Sequence, residues 1–438
     1  MTSDNELNYQ KERITNYFRE SETAKKEFEI GAEFEHFVVD ADTLEAISYY
    51  GENGIESLLK ELTELGWEAK YEENHLMGLS KDGNHVTLEP GAQVELSTRP
   101  CKSIKEVENQ YLSFLRDIIP VLNYRNQHIL SLGYQPETKI SQIPFIPKNR
   151  YKYMSEYFNK RGKYAHNMMK GTASLQITLD YCCEEDFIKK FRVANALSPY
   201  ISYIFDNSPF FEGEIWDKNT LRVNIWNNCD DDRCKVVPGS LDRVFGYEDY
   251  AKYILNAPPI IIQRNNEFEF TGNKAFKELY FPDEYTKEEL EHVLTMYFPD
   301  VRAKKFIEVR MADSVPYPLN IAGVALWKGL LYNEKNLELL YDKFKHLTND
   351  EVSKIKKDII ESVKDSEIVN KNVIEVCKEI VNLAEGGLDD EETKFLIPLK
   401  ELVNREMTPA GLIKEKLHLE KNKAIEKSIL NNLNIFRR

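Results

Sequence analysis

Two glutamates, Glu33 and Glu35, occupy alternate positions of the stretch IGAEFEHF at 30–37. Successive side chains of an extended chain leave opposite faces, so both carboxylates share one side while Phe28, Ile30, Ala32 and Phe34 share the other. At about 3.4 Å per residue the two backbone positions stand roughly 6–7 Å apart, which suits a shared metal site. Without a cation between them, like charges that close in a partly buried place raise each other's pKa. For one strand alone a solvated sheet face explains the alternation equally well.

Further stretches repeat the pattern. In TLEPGAQVELST at 87–98, Glu89, Gln93 and Glu95 share a parity with Thr87 and Ser97, and Pro90 and Gly91 call for a bulge or tight turn between the halves. ASLQITLD at 173–180 sets Gln176 opposite Leu175 and Ile177, and LRVNIW at 221–226 reads as a fourth strand that carries Arg222. FIEVRM at 306–311 places Glu308 and Arg310 opposite Ile307, Val309 and Met311. Strands with one apolar and one polar face predict an antiparallel sheet covered on one side. Carboxylates, an amide and two arginines on its open side suit Mg²⁺, which prefers hard oxygen ligands, and phosphate, which arginine grips through paired hydrogen bonds. A metal–nucleotide site is the expectation.

The elements that position these strands are mostly helical. Apolar spacing predicts helices over 8–27, 53–66, 104–128 and 186–206, and the Pro-containing run 142–149 reads as loop. After about Leu330 the chain turns Lys- and Glu-rich, with helices expected over 336–347, 350–364, 371–384 and 391–405, and the basic tail from Lys421 reads as a candidate mobile extension. With 438 residues and 42% hydrophobic content the chain is a globular protein of two or three domains or one large domain with a lobe. A net charge of −15 argues against a nucleic-acid or anionic-membrane surface but leaves nucleotides open, since local cations and metal ions suffice to bind them.

A polar amino terminus and the lack of a membrane-length apolar run predict a cytoplasmic protein. Six irregularly spaced cysteines give no disulfide framework, and Cys229 and Cys234 lack the partners of a zinc set. No P-loop, dinucleotide fingerprint or G-x-S-x-G elbow occurs. The histidines, His36, His75, His85 and His166 among them, read as surface or satisfied core residues.

In order, IGAEFEHF, TLEPGAQVELS, MMKGTASLQITLD, SPYISYIFDNSPFFEG, LRVNIW, VFGYEDYAKYIL, FIEVRMAD and ALWKGLLYN resemble the glutamate–cysteine ligase family of the plant and proteobacterial type, over residues 28–333. The resemblance implies an α+β fold of the glutamine synthetase type, a curved antiparallel sheet forming a funnel packed by helices. It implies a ligase core over 1–333 and a helical C-terminal region over 334–438. It also implies ATP-dependent ligation of glutamate, through a γ-glutamyl phosphate, to the amino group of cysteine. Matched motif by motif, Glu33, Glu35, Glu89, Glu95, Gln176 and Glu308 fall to the shell of Mg²⁺ (or Mn²⁺). Arg310 falls to the transferring phosphoryl group, and Arg222 to a substrate carboxylate or to phosphate. The partners expected are small molecules, with neither nucleic acid nor membrane, in a monomer or homodimer. Gly171 stands where the family has arginine, Met311 where it has glycine, His36 where lysine is common, and Cys234–Lys235 where it has Thr-Gly. These rim changes leave open, as an alternative, a carboxylate–amine ligase of the same family that uses a different amine or acid in a specialised pathway, because selectivity lies in pocket groups around shared chemistry.

Overall fold

Nine strands build the sheet around which the rest of the chain packs. The structure, a computed structural model, describes residues 4–264, 267–280, 284–363, 367–368 and 371–435. The main-sheet strands in chain order are β1 (Ile30–Asp40), β2 (Glu68–Glu72), β3 (His75–Lys81), β4 (Asn84–Leu88), β5 (Val94–Ser97), β6 (Gln127–Leu130), β7 (Ser174–Leu179), β8 (Val301–Ala303) and β9 (Ile307–Asp313). They lie in the order β8-β9-β7-β1-β5-β4-β3-β2. β6 pairs with the second half of β1, and every neighbouring pair is antiparallel. The sheet is open, and β1 is central to it.

One face of β1, with Ile30, Ala32, Phe34 and Val38, belongs to the main hydrophobic core. Complete burial of such side chains contributes about 1.5–3 kcal/mol each. Helices Ile104–Tyr124 and Leu319–Leu331 pack on this face, and Phe34 meets Tyr111 at 4.5 Å between ring centroids. The first of these helices follows from its spacing: Val107, Tyr111, Phe114, Leu115, Ile118 and Leu122 are buried at helical intervals, and the Ser103 side chain accepts from Glu106 N–H at the amino end. It stops at Tyr124 rather than His128, because Asn126 turns the chain through a positive φ of 52° into β6.

Several expectations need correction. LRVNIW is a helix, Leu221–Asn227, not a strand. Leu221 and Ile225, like Arg222 and Trp226, are four apart and share a face in either conformation, so six residues did not separate the two periods. Thr220, at a left-handed φ of 45°, starts the helix, and its N–H donates to Asp206 Oδ2. The entry helix ends at Arg19 instead of 27. The turn expected at Pro90 and Gly91, by contrast, is present: it spans 89–93 and joins β4 to β5 within the stretch 87–98.

The C-terminal helices are Glu334–Phe344, Asn349–Glu361, Val373–Glu385 and Ile397–Asn404, and their apolar stripes join the same core as the sheet. The expected helix end at Lys364 and the last three residues of the tail lie outside the described residues. The tail from Lys421 is otherwise packed. Ala424, Ile425 and Ile429 form a second core with Phe37 and Val39 of β1. The Ser131 N–H donates to Ser428 O at 3.0 Å, and Asn431 Oδ1 accepts from Ile129 N–H at 2.9 Å. The polar face of β1 is therefore open only around its glutamates. Among the described residues no helix is long and apolar enough to cross a membrane.

Candidate functional site

The strand register brings the acids together. Glu35 lies opposite Glu95 on β5, Glu95 opposite Thr87 on β4, and Glu33 opposite Gln176 on β7, while Glu308 of β9 lies opposite Thr178. Directly opposed residues leave the same sheet face, so one polar surface runs across five strands. Glu89 joins it from the β4–β5 turn, where Glu89 N–H donates to Gln93 O and Ala92 takes a positive φ of 68°. The Gln93 amide fixes that turn to the end of the helix Ala165–Gly171, which leads into β7, by donating to Met169 O and Thr172 O.

The surface lines a cavity of about 290 Å³ that is bordered by Glu33, Glu35, Glu89, Glu95, Gln176, Arg222 and Arg310. Glu308, the eighth residue singled out from sequence, does not reach the cavity. It is fully buried, paired with Arg302 Nη2 (2.6 Å), Arg310 Nη1 (2.9 Å) and Lys304 Nζ (3.2 Å). The same Arg310 nitrogen donates to Gln176 Oε1, whose Nε2 donates to Glu35 Oε1 at 2.7 Å. Glu308, Arg310, Gln176 and Glu35 thus form one chain of bonds along this sheet face, from Glu308 behind its three cations into the cavity. Arg222 enters from its helix and donates to Arg310 O at 3.1 Å.

Sequence reasoning missed Lys148 and Arg150, which begin the helix Asn149–Phe158, and Arg302 and Lys304, all of which line the cavity. The loop reading of 142–149 hid the first pair. The alternation Arg302-Ala303-Lys304 is the signal that would have found the second. Between Val309 and Ala312 the β9 register shifts by one residue, a bulge that lets Arg310 and Met311 both line a smaller adjoining recess. Gly171 has no room for a side chain: a Cβ there would stand 2.6 Å from the Tyr134 ring. His36 is buried on the helical face and bonds Tyr111 Oη at 3.0 Å, and burial pushes its pKa down to about 4. It is a neutral core residue.

Electrostatics separate the acids. Burial, with the charges of Glu95 and Glu308, pushes Glu33 up to about 8. Burial together with Glu35 pushes Glu89 up to about 7, and burial together with Glu89 and Glu35 does the same for Glu95. Burial also raises Glu35, although Arg222 and the Ser174 hydroxyl oppose it. Burial acts on Glu308 in the same sense, yet Arg302, Lys304 and Arg310 together hold it well below the usual carboxylate range.

These acids fit a divalent cation. Among the described residues Glu33 and Glu89 accept no protein hydrogen bond, so their oxygens face the cavity without donors. Glu95 is oriented by the Thr87 hydroxyl at 2.8 Å and the Ser97 hydroxyl at 3.0 Å. Among the described residues no three His, Cys, Asp or Glu side chains are gathered closely enough to hold a metal ion by themselves, so water and substrate oxygens would have to complete its shell. That spread suits Mg²⁺, which retains water and substrate oxygens in its shell.

Residues 29–405 match the model of glutamate–cysteine ligase family 2. The chain is 33% identical over 397 residues to the chloroplastic glutamate–cysteine ligase B of Oryza sativa subsp. japonica, covering 88% of this chain and 79% of the relative. It is 31% identical over 419 residues to the chloroplastic glutamate–cysteine ligase of Nicotiana tabacum, covering 93% and 80%. Its fold is similar to the crystal structure of glutamate–cysteine ligase from Francisella tularensis in complex with AMP, with a TM-score of 0.59 and 13% identity over 93% of this chain and 90% of that one.

Proposed function

The chain belongs to glutamate–cysteine ligase family 2, and from that premise we propose that it joins the γ-carboxylate of L-glutamate to the amino group of L-cysteine while ATP becomes ADP and phosphate. It is an ATP-dependent carboxylate–amine ligase that performs the first step of glutathione synthesis. The observation that carries the reading is the cavity itself, where four carboxylates of one sheet face, without an ion-pair partner among the described residues, stand beside Arg222 and Arg310.

The reaction needs charge neutralisation and alignment more than an enzyme nucleophile. A γ-carboxylate oxygen attacks the terminal phosphorus and ADP departs; the amine then attacks the acyl carbon, the C–N bond forms, and phosphate leaves as the nitrogen loses a proton. Arg310, held in direction by Glu308 and Gln176, presents its guanidinium to the transferring phosphoryl group. Arg222, buried and fixed to the Arg310 carbonyl, takes a substrate carboxylate. Glu33, Glu35, Glu89 and Glu95, with the second lone pair of the Gln176 amide oxygen, would hold Mg²⁺ or Mn²⁺. When bound, such a cation neutralises phosphate charge. Glu308 acts as the anchor of three cations.

We assign the chemistry to residues 1–333 and a supporting role to 334–438, in a monomer or homodimer. The six cysteines are unpaired, which supports a reducing compartment such as the cytoplasm. The test is ADP release from purified protein with MgATP and glutamate, adding cysteine, other amino acids and simple amines singly, with product masses recorded. Turnover strongest with cysteine is expected. Turnover with a different amine alone would keep the mechanism and replace the acceptor, and silence with every acceptor would overturn the reading.

A further inference from the structure

Lys148 and Arg150 form a cationic corner of the cavity that feels the charge of Glu89 but, among the described residues, makes no ion pair with it. Their segment is fastened on both flanks of Glu89: Ile146 N–H donates to Pro90 O at 3.1 Å, and Tyr151 Oη donates to Leu88 O at 3.2 Å. Asn149, between the two cations, donates its backbone N–H to Glu72 at 3.0 Å and its side-chain amide to Glu73 at 3.1 Å. The backbone of the corner is therefore set relative to Glu89 before any ligand arrives.

The remaining cations have other tasks. Arg302, Lys304 and Arg310 pair with Glu308, and Arg222 bonds the Arg310 carbonyl. Among the described residues Lys148 and Arg150 make no ion pair; their close contacts are the Tyr151 ring, at 5.3 Å and 5.6 Å, and for Arg150 the Met296 sulfur at 3.7 Å. Arg150 Nε is buried without an acceptor. Glu89, locked between the same anchoring bonds, has no donor. Two cations against one nearby acid, with no close ion pair between them, leave positive charge in this corner, and a polyanion that brings its own divalent cation would complete both sides. A single carboxylate supplies one charge and leaves a cation unmatched, whereas a phosphate chain offers several charged oxygens.

We propose that Lys148 and Arg150 bind the phosphate tail of the nucleoside triphosphate, with Glu89 facing the metal ion that accompanies it. This rests on the reading of the chain as an ATP-dependent ligase. The segment then acts as a fixed clamp opposite Arg310, so that the tail is held at one end while its terminal phosphorus is exposed to the carboxylate nucleophile.

Isothermal titration of the full-length protein with a non-hydrolysable ATP analogue, with and without Mg²⁺, and with inorganic tripolyphosphate tests this directly. Lys148→Gln and Arg150→Gln are each expected to weaken both ligands about 10- to 100-fold, the scale of a lost charge-assisted hydrogen bond. Arg150→Lys should lose less, and the KM for glutamate should stay within about 2-fold because uniform binding of that substrate is untouched. Melting temperatures identify a variant that fails to fold, in which case the conservative Arg150→Lys and its nucleotide affinity decide. Wild-type nucleotide affinity in both Gln variants, or a loss confined to glutamate, overturns the proposal. Wild-type protein that binds tripolyphosphate but no nucleotide keeps the anion corner and sinks the ligase reading; protein that binds neither sinks both.

Discussion

Glu35 and Glu95 face each other directly across the β1–β5 pair, two carboxylates at a cross-strand position where like charges repel. Ser174 and Gln176 donate to Glu35, and the Thr87 and Ser97 hydroxyls to Glu95, which offsets part of the repulsion; a bound cation would relieve the rest. The same logic extends to Glu33, which β1 carries two residues away on the same face, and to Glu89 at the end of the neighbouring hairpin.

The repulsion gives a pH dependence with a definite sign. Glu33 titrates at about 8 and Glu89 and Glu95 at about 7 in the folded protein, against an ordinary value of 4.5. Between these limits the folded chain binds more protons than the unfolded one, so stability falls as pH rises from about 4.5 to about 8 and then levels off. Glu308 is shifted the other way, and its contribution is lost only as pH falls through its depressed value, outside that window. Metal-free protein should melt at a lower temperature at pH 8 than at pH 5.5. Added Mg²⁺ should restore more at pH 8, and Glu33→Gln should flatten the slope. Thermal melts with and without chelator measure all three; a melting temperature that rises with pH contradicts the account.

The Glu308–Arg310 relation separates positioning from support. Arg310→Lys keeps a positive charge but cannot donate to Glu308 and Gln176 from one planar group. We expect kcat to fall about 10²- to 10³-fold, the scale of losing one preorganised donor, with a smaller change in the KM for the acceptor. Glu308→Gln removes the buried counter-charge shared by Arg302, Lys304 and Arg310 and should cost about 3–5 kcal/mol of stability. Steady-state kinetics and denaturant unfolding distinguish the two. Equal stability losses in both variants would remove the distinction.

Gly171 tests whether the rim departure is a matter of space. A Cβ would stand 2.6 Å from the Tyr134 ring and 2.8 Å from Ile140 Cδ1, so no larger side chain can enter here without moving the core. Gly171→Ala should destabilise by about 1–3 kcal/mol, the usual cost of overpacking. A variant as stable as the parent by chemical unfolding would show that Tyr134 yields freely.

Much of the sheet face was legible because alternation is a local property. The positions of Glu33, Glu35, Glu95 and Gln176 relative to their apolar neighbours fixed which side each leaves. What alternation cannot report is depth: Glu308 has the same pattern as Glu33, yet the cations of β8 and its following turn reach it first and draw it under the surface. Nor does it report period in a short segment, which is how the Arg222 helix passed for a strand. Lys148 was invisible for another reason, because the prolines at 144 and 147 marked a loop and a loop gives no face to read.

The C-terminal strap gives the last prediction. Its basic composition suggested a mobile tail, but Ile425 is fully buried and Ile429 nearly so against Phe37 and Val39, the continuation of the very face that carries Glu33 and Glu35. Lys421 fastens the strap to Glu137 and to Gly213 O, and Lys414 donates to Lys218 O, so charge serves attachment. Apolar burial dominates, since exposed ion pairs contribute at most about 1 kcal/mol. Ile425→Ala should therefore cost about 2–5 kcal/mol, and Lys421→Ala about 1 kcal/mol or less. Release of the strap would uncover the far end of the face that bears the glutamates, so limited proteolysis near residue 420 should accelerate in Ile425→Ala before global unfolding. If the two variants prove equally stable and equally resistant, the strap is held by its charges and the packing argument fails.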